Sequence, residues 1–194
     1  NFGTSDVDTN IPISEFKREN TFAVIFANEN YENAGETVQY AYNDGQVFKD
    51  YCEKALGIPK ENIHFRADAT LANMKFELNW LKITAKAHED VQIIVYYAGH
   101  GMPNPNTNDA YLLPVDGYSS DYTTAIKLSE LYEQLNSIPT KNTLVFLDAC
   151  FSGTTRSNSD KMLTNVRGVR TAPKMSNPNG NMVVFSATSN TQTA

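Results

Sequence analysis

Continuous apolar runs alternate along the chain with stretches in which apolar residues recur every third or fourth position. Thr21–Asn28 reads Thr-Phe-Ala-Val-Ile-Phe-Ala-Asn, the mark of a strand buried on both faces. From Ala41 to Leu56 the apolar positions Val47, Phe48, Tyr51, Cys52, Ala55 and Leu56 fall on one side of a helix, which Gly57-Ile58-Pro59 ends. Asn62–Phe65 is a shorter strand candidate. Thr70 then caps a second helix whose Leu71, Met74, Leu78 and Leu81 keep helical spacing. Val91–Tyr97 predicts the next buried strand, and it runs into Ala98-Gly99-His100-Gly101. A loop over Met102–Asp109 precedes Ala110–Pro114. Leu128, Leu131, Tyr132 and Leu135 predict a third, short helix. Thr143–Leu147 is a strand leading to Asp148-Ala149-Cys150, and Met182–Ser186 is a last strand.

Strands alternating with helices predict an α/β layer fold with a mostly parallel central sheet flanked by helices. Residues 1–20 are polar and without a clear period, and read as a leader or linker packed on the outside; residues 21–194 read as one domain. Parallel sheets bind ligands at the carboxyl ends of their strands. His100 and Cys150 are each expected just past such an end, which brings the two most reactive side-chain types in the chain to one rim.

A net charge of −6 argues against general nucleic-acid binding, which needs excess Lys and Arg. No apolar run approaches the roughly 20 residues of a membrane-spanning helix. The cysteines are only two, Cys52 and Cys150, too few for a disulfide scaffold and without a CxxC zinc signature. Three scattered histidines form no recognisable ligand set. Neither GxGxxG nor GxxxxGK[ST] occurs, so a nucleotide-cradling loop is absent.

What remains is cysteine chemistry. A peptide carbonyl is attacked by thiolate, and a free thiol near pKa 8.5 is only a few per cent ionised at neutral pH. A neighbouring imidazole takes the proton and later returns it to the leaving amine. The attack creates an oxyanion that backbone N–H groups can receive. Gly99, Gly101 and Gly153 around these positions leave the backbone open to close approach.

Tyr96-Tyr-Ala-Gly-His-Gly101, Tyr111-Leu-Leu-Pro-Val-Asp116 and Asp148-Ala-Cys-Phe-Ser-Gly153 resemble the caspase-like cysteine peptidases, with His100 preceding Cys150 by 50 positions as in that family. Tyr40-Ala-Tyr-Asn-Asp44 and Ser186-Ala-Thr188 match more weakly. The likeness is greater to the metacaspase and paracaspase branch, of bacterial type, than to true caspases. It implies a three-layer caspase-like fold, His100 as base and acid, Cys150 as nucleophile, and an oxyanion hole from the N–H groups of Gly101 and Cys150. True caspases carry Gln-Ala-Cys-Arg-Gly; here Asp148 stands at the Gln position and Phe151-Ser152 replaces the Arg. In the metacaspase-like branch, that Asp and one opening the first helix, here Asp44, line an acidic pocket. Two carboxylates suit a guanidinium or ammonium group, so peptide or protein substrates with Arg or Lys before the cut are expected.

Within 153–180, Arg156, Lys161, Arg167, Arg170 and Lys174 face a single acid, Asp160. A loop this long is often functional, and its basic residues fit self-cleavage and activation. Relative to the family fold the chain, ending at Ala194, is expected to lack the C-terminal portion, which makes its own C-terminal fragment an expected partner. No cofactor is expected; the family includes calcium-dependent members, but no EF-hand-like run is present.

Duller roles compete. Cys52 reads as a small core residue, His64 and His88 as surface or satisfied core residues, and Tyr96 and Tyr97 as strand packing. Asp148 could instead bond the turn after its strand, Asp44 could serve as helix N-terminal charge, and the basic loop could be merely solvated. A caspase fold kept as a non-catalytic scaffold is the rival function.

Overall fold

The computed structural model describes residues 6–34, 37–151 and 180–187, and of Cys150 the backbone alone. Among the described residues the seven strands are β1 (Thr21–Ala27), β2 (Ile63–Ala67), β3 (Gln92–Pro103), β4 (Ala110–Leu112), β5 (Ile126–Lys127), β6 (Asn142–Cys150) and β7 (Met182–Ser186). Four helices accompany them: α1 (Asp6–Thr9), α2 (Ala41–Lys54), α3 (Leu71–Ala87) and α4 (Leu128–Asn136). Five strands pair in parallel in the order β2-β1-β3-β6-β7. The short β4 pairs antiparallel with the far end of β3, and β5 with β4.

Each strand's composition follows from its place. β1 is buried along its whole length, and it reads as an unbroken apolar run because both of its faces are covered. On one face Ala23, Ile25, Ile94, Tyr96 and Ala98 pack with Ala41 and Cys52 of α2, and Phe48 stacks on Tyr96. On the other, Val24, Phe26, Val95, Tyr97 and Val145 pack with Met74, Leu78 and Leu81 of α3 and Leu131 and Leu135 of α4. This is the predicted α/β layering, with a helix layer on either side of the sheet.

Local signals explain the helix ends. The Thr70 side chain accepts the Asn73 N–H while Asn73 Oδ1 accepts the Thr70 N–H, a reciprocal cap that starts α3. Asp116 Oδ1 adds a bond from the Leu71 N–H at 2.8 Å, which gives the motif around Tyr111–Asp116 a structural task. Past α2, Gly57 adopts φ +69°, the left-handed turn that ends helices, and a Cβ there would run into the Phe16 carbonyl. The leader lies along the end of α2: Tyr51 Oη donates to Val7 O, Ser14 N–H to Lys54 O and Arg18 N–H to Gly57 O.

Two strand ends differ from the sequence reading. Val91–Tyr97 and Thr143–Leu147 are expected to stop before the reactive residues, yet β3 runs on to Pro103 and β6 to Cys150. The reason is pairing. Backbone ladders need N–H and C=O partners, not apolar side chains, and β6 and then β4 supply those partners to β3 beyond Tyr97. His100 and Cys150 therefore lie within strands.

Candidate active site

Strand register brings the pair together. In the parallel ladder of β3 and β6, Ala98 stands opposite Asp148, Gly99 opposite Ala149, and His100 opposite Cys150. Neighbouring strands run about 4.8 Å apart, so His100 and Cys150 occupy adjacent positions at the carboxyl rim of the sheet. His100 is buried, with 7% of its surface exposed.

An unusual arrangement holds the His100 peptide. Its N–H donates to Tyr31 Oη at 2.7 Å, and Tyr97 Oη donates to its carbonyl at 2.8 Å. Tyr97 Oη also lies 2.8 Å from Leu113 O, and the two phenol oxygens are 3.3 Å apart. The Tyr97 proton has two carbonyls to serve, so Tyr31 donates to Tyr97 Oη and the circuit around His100 closes. Burial pushes both phenols well above the usual tyrosine range, so both keep their protons. The Tyr31 ring also tilts against the imidazole, with centroids 4.5 Å apart. Gly99 makes the room: a Cβ there would lie 2.5 Å from Tyr31 Oη and 2.7 Å from Tyr97 Oη. Its lack of a side chain leaves room for the two tyrosine hydroxyls.

The next peptide has a defined direction. Leu113 N–H donates to His100 O at 3.1 Å, and Leu113 stands on the β1 side, where Asn28 Nδ2 reaches Leu113 O. Among the described residues no peptide bond is cis. In a trans peptide the N–H points opposite to the C=O, so the Gly101 N–H is directed toward the β6 side of β3.

The two acids come to the same rim and face. Leu144 and Phe146 pack with the α2-side cluster, and alternation puts half-buried Asp148 on that side as well. Asp44 lies in the first turn of α2, also half-buried. Gly45 beside it packs so tightly on the end of β1 that a Cβ would meet Ala27 Cβ at 2.7 Å. Ala27 is in register with Ala98, and Ala98 with Asp148.

Sequence reasoning missed the loop that follows β1. Asn28 is fully buried and clamps the rim, accepting the Ala69 N–H and donating to Ala69 O and Leu113 O. Asp68 holds the next turn by accepting the N–H groups of Glu29 and Asn30 and the Asn30 amide. Burial raises the Asp68 pKa, but these bonds outweigh it and hold the carboxyl below its ordinary value. Tyr31 itself sits in Asn-Glu-Asn-Tyr-Glu-Asn, where no periodicity marks it.

Elsewhere, Cys52 is a buried free thiol pushed up to about 12 by burial, a core residue as read. His64 is half-exposed beside Glu77 and stacks on Trp80 at 3.6 Å, and His88 Nδ1 contacts Thr84 O. Among the described residues no cluster of three or more His, Cys, Asp or Glu could hold a metal ion, and no helix is long and apolar enough to cross a membrane. The self-cleavage candidates Arg156, Lys161, Arg167, Arg170 and Lys174 lie outside the described residues.

Comparison with known families decides the class. The caspase domain family (Peptidase_C14) matches residues 20–194, all of the chain beyond the leader. The chain belongs to the caspase domain family. Its membership of a cysteine peptidase family and its α/β caspase-like fold follow. The match does not separate the metacaspase branch from others. Among solved structures, this caspase domain is similar to protein GSU0716 from Geobacter sulfurreducens, at 20% identity and a TM-score of 0.53. That match covers 69% of this chain and 51% of the other, so the chain spans about half the length of that protein. At this identity the likeness concerns the fold. Comparison with curated proteins finds no match.

Proposed function

We propose that this caspase domain is a cysteine endopeptidase that cuts after Arg or Lys, with Cys150 as nucleophile and His100 as its base. The observation that carries the reading is the register of β3 and β6, which sets His100 opposite Cys150 at the carboxyl rim. The Cys150 sulfur attacks the scissile carbonyl carbon as its proton passes to His100, and the oxyanion is received by the N–H groups of Gly101 and Cys150. His100 then protonates the leaving amine. In the second half it takes a proton from water, which hydrolyses the acyl-enzyme and returns the thiol. The direction of the Gly101 N–H supports the oxyanion role.

Asp44 and Asp148 form the pocket for the basic side chain in this reading, supported by their common face and rim. Two carboxylates there receive a guanidinium in fork geometry and an ammonium as a point charge. The basic stretch within 153–180 carries the same residue types and is the proposed site of self-cleavage, and a C-terminal fragment is the proposed partner.

Paired fluorogenic peptides ending in Arg, Lys or Asp test this, with Cys150→Ala as control. Arg and Lys peptides should turn over and the Asp peptide should not. Asp148→Asn should lower kcat/KM on the Arg peptide by about 10- to 100-fold, the range for losing one charge-assisted partner. Equal turnover of the Asp peptide would sink the acidic pocket. Activity surviving in Cys150→Ala would sink the nucleophile.

A further inference from the structure

We propose that Tyr31 and Tyr97 are positioning residues for His100, holding its backbone N–H and C=O so that the imidazole keeps one orientation toward the neighbouring strand. The inference rests on the reading of His100 as the base and goes beyond it, by naming what holds that base in place.

Area burial alone does not explain these residues. A phenylalanine at position 97 would fill the same space without taking a hydroxyl out of water, and a buried hydroxyl is costly unless bonded. Tyr97 is fully buried, and its hydroxyl spans two carbonyls from different segments, His100 O in β3 and Leu113 O just past β4. Tyr31 comes from a third element, the loop after β1, and its hydroxyl substitutes for a strand partner by accepting the His100 N–H. Each hydroxyl therefore uses both its proton and its lone pair. His100 also has a ring neighbour on the same tyrosine that holds its amide, so shifting Tyr31 moves backbone and imidazole together. The loop is fixed in turn by Asp68 through Glu29 and Asn30. Gly99, between the two tyrosine contacts, has no space for any side chain.

The test removes one hydroxyl at a time and keeps each ring. Tyr31→Phe, Tyr97→Phe and His100→Ala are made in the full chain. Alkylation of Cys150 by iodoacetamide at pH 7 is followed by peptide mass mapping, alongside kcat and KM on the Arg peptide. His100→Ala should slow Cys150 alkylation, since thiolate is the reacting form. Tyr31→Phe should lower kcat about 10- to 100-fold with KM within about twofold, as expected when a reacting group is misplaced rather than substrate binding lost. It should also slow alkylation, and in a His100→Ala background it should add nothing. Alkylation and kcat in Tyr31→Phe within about twofold of wild type, with His100→Ala slow, would overturn the positioning role and leave the base intact. Unchanged alkylation in His100→Ala would overturn the reading of the base, and this inference with it. Should Tyr31→Phe fail to melt cooperatively, Tyr97→Phe decides by the same split, and an unchanged kcat there overturns the proposal.

Discussion

Gly99→Ala concentrates the packing argument in one methyl group. The added Cβ would lie 2.5 Å from Tyr31 Oη, 2.7 Å from Tyr97 Oη and 2.9 Å from Tyr97 Cζ. None of these atoms is the loose end of a flexible chain. Tyr97 is fully buried with its hydroxyl bonded to two carbonyls, and Tyr31 Oη accepts the His100 N–H. Relief therefore means moving a ring or opening the strand. Overpacking a tight site costs about 1–3 kcal/mol, and leaving one buried polar group unbonded costs about 1–3 kcal/mol more. The sum is about 2–6 kcal/mol, which in a domain of this size corresponds to a fall in melting temperature of roughly 4–24 °C. Calorimetry on wild type and variant reads it directly. Peptidase activity measured well below the variant's transition should fall too, because the displaced rings flank His100. A variant melting within about 2 °C of wild type would mean that the rings yield freely, and the tight circuit around His100 would be refuted.

Three further outcomes are expected. Glu77 is wholly buried and accepts from Arg66 Nε, with His64 Nδ1 beside its other oxygen, each at 2.5 Å. Because both partners are partly exposed and can return to water, Glu77→Gln should cost about 1–3 kcal/mol in urea unfolding, and no change would dismiss the cluster as stabilising. The Asp68 carboxyl titrates below its unfolded value in the fold. Its stabilisation is therefore complete above about pH 4, the unfolded pKa, and is lost as pH falls through the folded one. Asp68→Asn should flatten the acid limb of stability below about pH 4, and an unaltered limb would refute this. Cys52, buried and pushed up to about 12, should resist iodoacetamide in the native protein and react only on unfolding; labelling as fast as a free thiol would contradict its burial.

The strands and helices were legible wherever apolar periodicity coincides with burial. Met182–Ser186 and the Thr70 cap fall where the pattern predicts. The ends of β3 and β6 were not, because Gly, His, Asp and Cys break the apolar run while the ladder continues through backbone partners supplied from elsewhere. β5, two residues long, is too short for any period. His100 and Cys150 were visible as residue types at strand ends, but their register is a tertiary fact. Tyr31 carried no signal, since its importance comes from where the loop after β1 lands. Glu77 did carry one: with Met74, Leu78 and Leu81 it keeps helical spacing on the apolar face, and an acid there calls for partners.

The clamp around His100 also divides the labour between the two halves of the site. The residue proposed as base lies in the central strand of the five parallel strands, with its amide and carbonyl both engaged by tyrosine side chains, Tyr31 from the loop after β1 and Tyr97 from β3 itself. Such a group behaves as a fixed anvil: its amide should be among the slowest in the chain to exchange with deuterium. With that member held so firmly, any change in the spacing of the proposed pair would have to come from the β6 side of the sheet.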